Sequence, residues 1–99
     1  LSYVVVARYL THPDAQNEVL TLLDEMTRHS LAEPGCRSYR VHQGTEEART
    51  IVLVEEYDAE ADFTAHCASA HFREIVLGKV VPLLVSRDVV RLTPREVAP

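Results

Sequence analysis

The chain predicts an α+β protein of the ferredoxin-like kind, β-α-β-β-α-β, with a four-stranded antiparallel sheet and a second helical region that is broken. Three observations carry this reading. Four β-branched or aromatic runs alternate with two stretches of helical periodicity. Proline and glycine fall at the borders between them, at Pro13, Pro34-Gly35, Gly44 and Pro82. Two of the strands are apolar on both faces, which bears on how the sheet is covered.

The first strand is Tyr3-Val4-Val5-Val6-Ala7-Arg8-Tyr9-Leu10, ending before Thr11-His12-Pro13-Asp14, where a helix is expected to begin with Pro13 in its first turn. Val19, Leu22, Leu23 and Met26 follow the i, i+3, i+4, i+7 spacing of an amphipathic helix. That helix should stop near Glu33-Pro34-Gly35, because the residue before a proline is pushed out of the helical region and glycine permits a sharp reversal. Cys36 to Gln43 and Thr50 to Tyr57 read as a hairpin joined across Gly44. Asp58 is the expected N-cap of the second helix, and Ser69 the cap of a further segment carrying Phe72, Ile75, Val76 and Val80. Val85 to Leu92 forms the last strand. The domain is expected over residues 1–93, with 94–99 a tail.

A half-exposed antiparallel sheet should alternate apolar and polar residues, yet Tyr3-Val4-Val5-Val6-Ala7 and Ile51-Val52-Leu53-Val54 do not. No further helices remain to cover the second face. A homodimer through that sheet face, forming a dimeric α+β barrel, is the expected solution.

Composition excludes several roles. With 99 residues and 46% hydrophobic content, the chain fits one domain. A net charge of -5 with no dense Lys/Arg stripe speaks against nucleic acid and membrane surfaces. No apolar run approaches the roughly 18 residues of a spanning helix, and the first residues lack a signal-type pattern, so a cytoplasmic protein is expected. Cys36 and Cys67 form no CxxC pair and read as reduced apolar residues. Only 3 glycines occur, with no nucleotide-binding loop among them.

Phe63-Thr64-Ala65-His66-Cys67-Ala68-Ser69-Ala70-His71-Phe72 gathers two histidines and both phenylalanines of the chain. Such a group suits a pocket for a flat organic ligand, since imidazole exchanges a proton near neutral pH. Either histidine alone has a simpler reading as a hydrogen-bonded packing residue. His66 and His71 are not spaced as H-x-x-x-H, and a break at Ser69 hides their mutual orientation, so no metal is expected. Glu55 and Glu56 are adjacent on a strand and therefore point to opposite faces, one toward the pocket and one toward the sheet's outer side.

Together, Glu33-Pro34-Gly35-Cys36-x-x-Tyr39-x-Val41, Glu55-Glu56-Tyr57, Ala65-His66 and Ser69-Ala70-His71-Phe72 resemble the antibiotic biosynthesis monooxygenase family. The resemblance spans nearly the whole domain. It implies a dimeric barrel and a range of chemistries, among them oxidation of quinols or phenolic polyketides, haem degradation and isomerisation. Haem-degrading members carry Asn, Trp and His where this chain aligns Ala7, His66 and Val76, so no haem is expected. Glu56 matches the family motif and is expected to pair with an arginine at the interface, while Tyr57 stands where Trp is common.

The leading expectation is a cofactor-independent monooxygenase acting with dioxygen on a small aromatic substrate, a quinol or phenolic polycyclic compound. His66 or His71 is the candidate base, Tyr57 a hydrogen-bonding partner, and Phe63 and Phe72 the apolar walls. A non-catalytic ligand-binding or stress-associated dimer is the alternative, as is a histidine-dependent isomerase using Arg37, Arg40 or Arg73.

Overall fold

A computed structural model describes residues 1–99. The elements are β1 (Tyr3–Thr11), α1 (Gln16–Leu31), β2 (Cys36–Gln43), β3 (Thr50–Tyr57), α2 (Glu60–Ala68), a π-helix (Phe72–Val80), a 3-10 turn (Val81–Leu83) and β4 (Leu84–Leu92). This is the predicted α+β ferredoxin-like order. The strands form one antiparallel sheet in the order β2-β3-β1-β4. Residues 93–99 carry no regular secondary structure.

Two local expectations are corrected. Helix α1 begins at Gln16 rather than at Pro13. Asp14 takes φ 66°, so Pro13-Asp14 make a turn that a helix cannot continue. Asp58 does not cap α2, because its carboxylate is held by Arg37 Nε at 2.6 Å. Ala59 stands at the N-cap, and Asp62 reaches back to accept from the Ala59 N–H at 3.0 Å. Ser69 does act as expected: its Oγ accepts from the Phe72 N–H at 3.1 Å.

Period-two alternation sorts the strand residues onto two faces. Val5, Ala7 and Tyr9 of β1 and Ile51, Leu53, Glu55 and Tyr57 of β3 are buried under the helices. Val19, Leu23 and Met26 of α1 and Ile75, Val76 and Val80 of the π-helix complete the main core with them. A register shift between Cys36 and Ser38 lets Cys36 and Tyr39, three positions apart, both pack against buried residues of this inner face.

The outer face carries Arg40, Val54, Val6 and Val90 in one cross-strand row, and Ser38, Glu56, Val4 and Leu92 in the next. Val54 on the inner strand β3 is 37% exposed, and Val90 and Leu92 on the edge strand β4 are 43% and 42% exposed. The shortest dimension of the molecule, 18 Å, accommodates one sheet and one helical layer.

The turn after α1 is positioned by a close approach. A Cβ at Gly35 would lie 2.1 Å from Asp62 Oδ1 and 2.6 Å from Asp62 Cβ, so only glycine lets α2 come this near. The Gly35 carbonyl also accepts from the Asp58 N–H at 2.9 Å. Gly35→Ala is expected to destabilise the fold by about 1–3 kcal/mol through forced displacement of α2. Urea unfolding of the two proteins measures it, and equal midpoints would show that α2 is not held there.

Candidate functional site

Three separate pieces of backbone converge beside this turn. Glu33 lies just past α1, His66 in the last turn of α2, and His71 immediately before the π-helix. On one continuous helix, residues five apart are separated by about 140° and face different ways. Ser69 takes extended angles, φ -70° and ψ 154°, which breaks the helix and turns His71 back toward His66. The π-helix that follows carries its capping bond from the Val81 N–H to the Val76 carbonyl, five residues back. Such wider turns recur at functional sites.

Glu33 joins the two histidines. Its Oε2 lies 2.9 Å from His66 Nδ1 and 2.5 Å from His71 Nε2. His66 is almost wholly buried, at 2% exposure, whereas His71 and Glu33 are partly open. Burial pushes the His66 imidazole below its ordinary range, an effect partly offset by the Glu33 carboxylate. Burial thus favours the neutral form of the His66 imidazole, whose Nδ1 lies against Glu33 Oε2. The ring of His71 stacks on that of His29, with centroids 5.1 Å apart and planes 10° from parallel.

His66 is also the centre of an aromatic cluster. The rings of Phe72, Tyr57, Tyr39 and Phe63 lie 5.3, 5.5, 5.8 and 6.1 Å from it. Behind it, Glu55 is buried on the inner face, its Oε1 4.0 Å from His66 Nε2. Tyr57 donates to that same oxygen at 2.6 Å. Burial raises the Glu55 carboxyl to about 7, against the opposing pull of the Tyr57 hydrogen bond. The Tyr57 phenol is likewise held far above its normal range by burial and by the adjacent carboxylate.

A cavity of about 250 Å³ opens beside this arrangement, lined by Glu33, Pro34, Gly35, Asp62, Ala65, His66 and Ser69. Of the residues singled out from sequence, His66 alone is in its wall. His71 touches the site through Glu33, and Tyr57, Phe63 and Phe72 surround His66 without lining the cavity. The Tyr57 hydroxyl, expected to face a substrate, is committed to Glu55. Phe63 packs in a small core with Val5 and Tyr57. Arg37, Arg40 and Arg73, considered for an isomerase, are absent from the lining.

Sequence reasoning missed Glu33 as a site residue, reading Glu33-Pro34-Gly35 as punctuation. The signal was its place in the same motif as the histidines. Strand parity left open which of Glu55 and Glu56 faces the helices. The structure puts Glu55 there, whereas Glu56 lies on the outer face and accepts from Ser2 Oγ at 2.6 Å. Glu33, His66 and His71 also offer three donor atoms, no two more than 4.8 Å apart, a grouping the spacing did not reveal.

The buried carboxyl of Glu55 makes stability pH-dependent. Its pKa is raised in the folded state, so it stays protonated there between about pH 4.5 and 7 while the unfolded chain ionises. Stability contributed at low pH is thus lost as pH rises through this window. Glu55→Gln should be more stable than the parent at pH 8 by roughly 1–3 kcal/mol, and the gap should close below about pH 4.5. Urea titrations at several pH values test this, and a gap independent of pH would refute it.

A profile of the family described as antibiotic biosynthesis monooxygenase matches residues 2–76. The chain is 35% identical over 68 residues to the Mycobacterium tuberculosis protein named "Putative monooxygenase Rv0793", spanning 69% of this chain and 66% of that protein. It is 30% identical over 89 residues to "Putative monooxygenase YcnE" of Bacillus subtilis, spanning 89% and 94% of the two. The solved structure of Rv0793 superposes with a TM-score of 0.89 at 31% identity, covering all of both chains. A conserved protein from Methanosarcina mazei does so with a TM-score of 0.90 at 26% identity, over 96% and 94%. Fold, motifs and sequence agree: the chain belongs to the antibiotic biosynthesis monooxygenase family.

Proposed function

We propose that the protein is a cofactor-independent monooxygenase that oxidises a small quinol or phenol with dioxygen, using the histidine pair as the proton acceptor. Membership of the family supports a monooxygenase role in general terms. The observation that carries the finer reading is the buried His66 in the wall of a cavity, held with His71 by one carboxylate, with burial favouring its neutral form. The geometry parallels the way a carboxylate fixes the tautomer of a histidine base.

Removing the phenolic proton turns the substrate into a far better one-electron donor. The phenolate passes one electron to dioxygen, giving a phenoxyl radical and superoxide. Their recombination forms a carbon–oxygen bond, and the proton held by the imidazole completes a hydroperoxide. Loss of the ring C–H proton then breaks the O–O bond and releases water, leaving a carbonyl. Dioxygen is thereby reduced by four electrons, to one carbonyl oxygen and one water, and the substrate's ring as a whole supplies them as the phenol becomes a quinone.

Cavity size narrows the substrate. About 250 Å³ exceeds a benzene-sized void of about 150 Å³ but falls under the usual drug-sized pockets of about 300–1,000 Å³. One or two rings fit better than a polycyclic polyketide.

The second copy suggested by the two-sided strands is part of this reading. Val6, Val54, Val90 and Leu92 form an apolar centre on the outer face, flanked by Arg8 and Arg40 of one sign and Glu56 and Asp88 of the other. Such a surface is self-complementary under a two-fold axis. Light scattering at micromolar concentration should give twice the chain mass, and Val54→Arg with Val90→Arg should give the monomer. A parent protein that already runs as a monomer would refute the sheet-face dimer.

Oxygen uptake with a series of hydroquinones tests the activity. His66→Ala should lower kcat by about 10²–10⁴-fold. Because His66 titrates below the ordinary imidazole range, parent activity should be level at neutral pH and fall only under about pH 6.5. Unchanged turnover in folded His66→Ala and His71→Ala proteins would remove the base assignment. Tight binding of the quinols without oxygen uptake would instead favour a non-catalytic ligand-binding protein.

A further inference from the structure

The Glu33–His66–His71 set has a property that proton transfer does not require. Two imidazole nitrogens and one carboxylate oxygen, from three distinct parts of the backbone, lie within 4.8 Å of one another. Zinc and related ions take bonds of about 2.0–2.2 Å to such atoms, which sets neighbouring donors about 3.0–3.5 Å apart. The Glu33 contacts, at 2.9 and 2.5 Å, need to open by under about 1 Å to reach that spacing. The two nitrogens lie no more than 4.8 Å apart and have only to close modestly.

The surroundings complete the case. A histidine ligand usually directs its second nitrogen at a carboxylate, which fixes the ring and strengthens the ligand. His66 offers Nδ1 to the site, and its Nε2 faces Glu55 Oε1 at 4.0 Å. The ring of His71 is fixed by stacking on His29. On the open side lies the cavity, walled by Glu33 and His66 with Asp62 and Ser69. Three protein ligands with the remaining positions open to a pocket is the pattern of an accessible metal centre rather than a sealed structural one.

We propose that Glu33, His66 and His71 bind one first-row divalent transition-metal ion of the zinc or ferrous class, with water or a small ligand from the cavity filling its other positions. The ion displaces the protons now shared within the set, and the displaced Nδ1 proton of His66 moves to Nε2, beside Glu55. Metal and proton therefore compete for the same nitrogen lone pairs. This goes beyond the oxygenase reading, since a loaded ion occupies the groups on which proton acceptance depends.

The test uses the full chain, freed of metal by EDTA dialysis and titrated with Co²⁺, whose visible ligand-field bands report coordination. One Co²⁺ per chain is expected, displaced by equimolar Zn²⁺. Affinity should fall by at least about 10-fold in His71→Ala and in Glu33→Gln. The latter keeps the size of the side chain and so preserves folding, which circular dichroism checks. His12→Ala and His42→Ala should bind as the parent does. Absence of one-to-one binding in the parent, or affinity unchanged from the parent's in both site variants, overturns the proposal. Oxygen uptake by the metal-free chain is read separately, so failure of either proposal leaves the other measurable.

Discussion

The carboxylate of Glu33 ties the end of α1, the end of α2 and the start of the π-helix to one point. Each of these has its own reason to be where it is. Pro34 ends the helical run of α1, Gly35 allows α2 to approach within a distance no Cβ would tolerate, and Ser69 breaks the second helical region. Only their combination brings His66 and His71 onto the same oxygen, at 2.9 and 2.5 Å. A buried imidazole opposite an exposed carboxylate would gain little. Here the carboxylate is partly sheltered and doubly engaged, so its hydrogen bonds are charge-assisted and geometrically selective.

Behind His66 the chemistry changes from charge sharing to charge suppression. Glu55 and Tyr57 share a hydrogen bond under the helices, and burial keeps both on the protonated side of their ordinary behaviour. A carboxyl that titrates near neutrality at the back of a histidine, and a carboxylate in front of it, give the two ring nitrogens different partners. The imidazole sits between Glu33 at Nδ1 and, at Nε2, a carboxyl that changes state near physiological pH. Such an asymmetry sets the preferred tautomer, which is what a proton acceptor or a metal ligand requires.

The sheet poses a separate constraint. Its inner face is filled by α1 and the π-helix, while the outer face presents valines flanked by charges of both signs. β-branched residues on both faces of β1 and β3 suit a strand with a packed layer on either side. The outer layer is not supplied within the chain, and the proposed two-fold partner meets the constraint without new elements. The Glu33–His66–His71 group and this face lie on opposite sides of the sheet, so substitutions on one need not disturb the other.

Much of the fold was legible in the residues because local rules decide it. β-branched runs specified the four strands, the 3.6 spacing of Val19, Leu23 and Met26 specified α1, and Ser69 announced the break. Strand parity assigned Glu55 and Glu56 to opposite faces, though not which face was which. The family was legible for the same reason, since its motifs lie in turns and helix ends that sequence specifies closely. Local propensity failed at Pro13, where a positive φ at Asp14 delayed α1, and at Asp58, which an arginine on a neighbouring strand claimed from its capping role. The site itself was read only in part. His66 and His71 stood out by residue type, but the bond that unites them comes from Glu33, more than thirty positions away along the chain. Sequence spacing describes directions within one helix or strand. Once a helix breaks and a third segment enters, the direction of each side chain depends on how the pieces pack, and only the tertiary structure decides that.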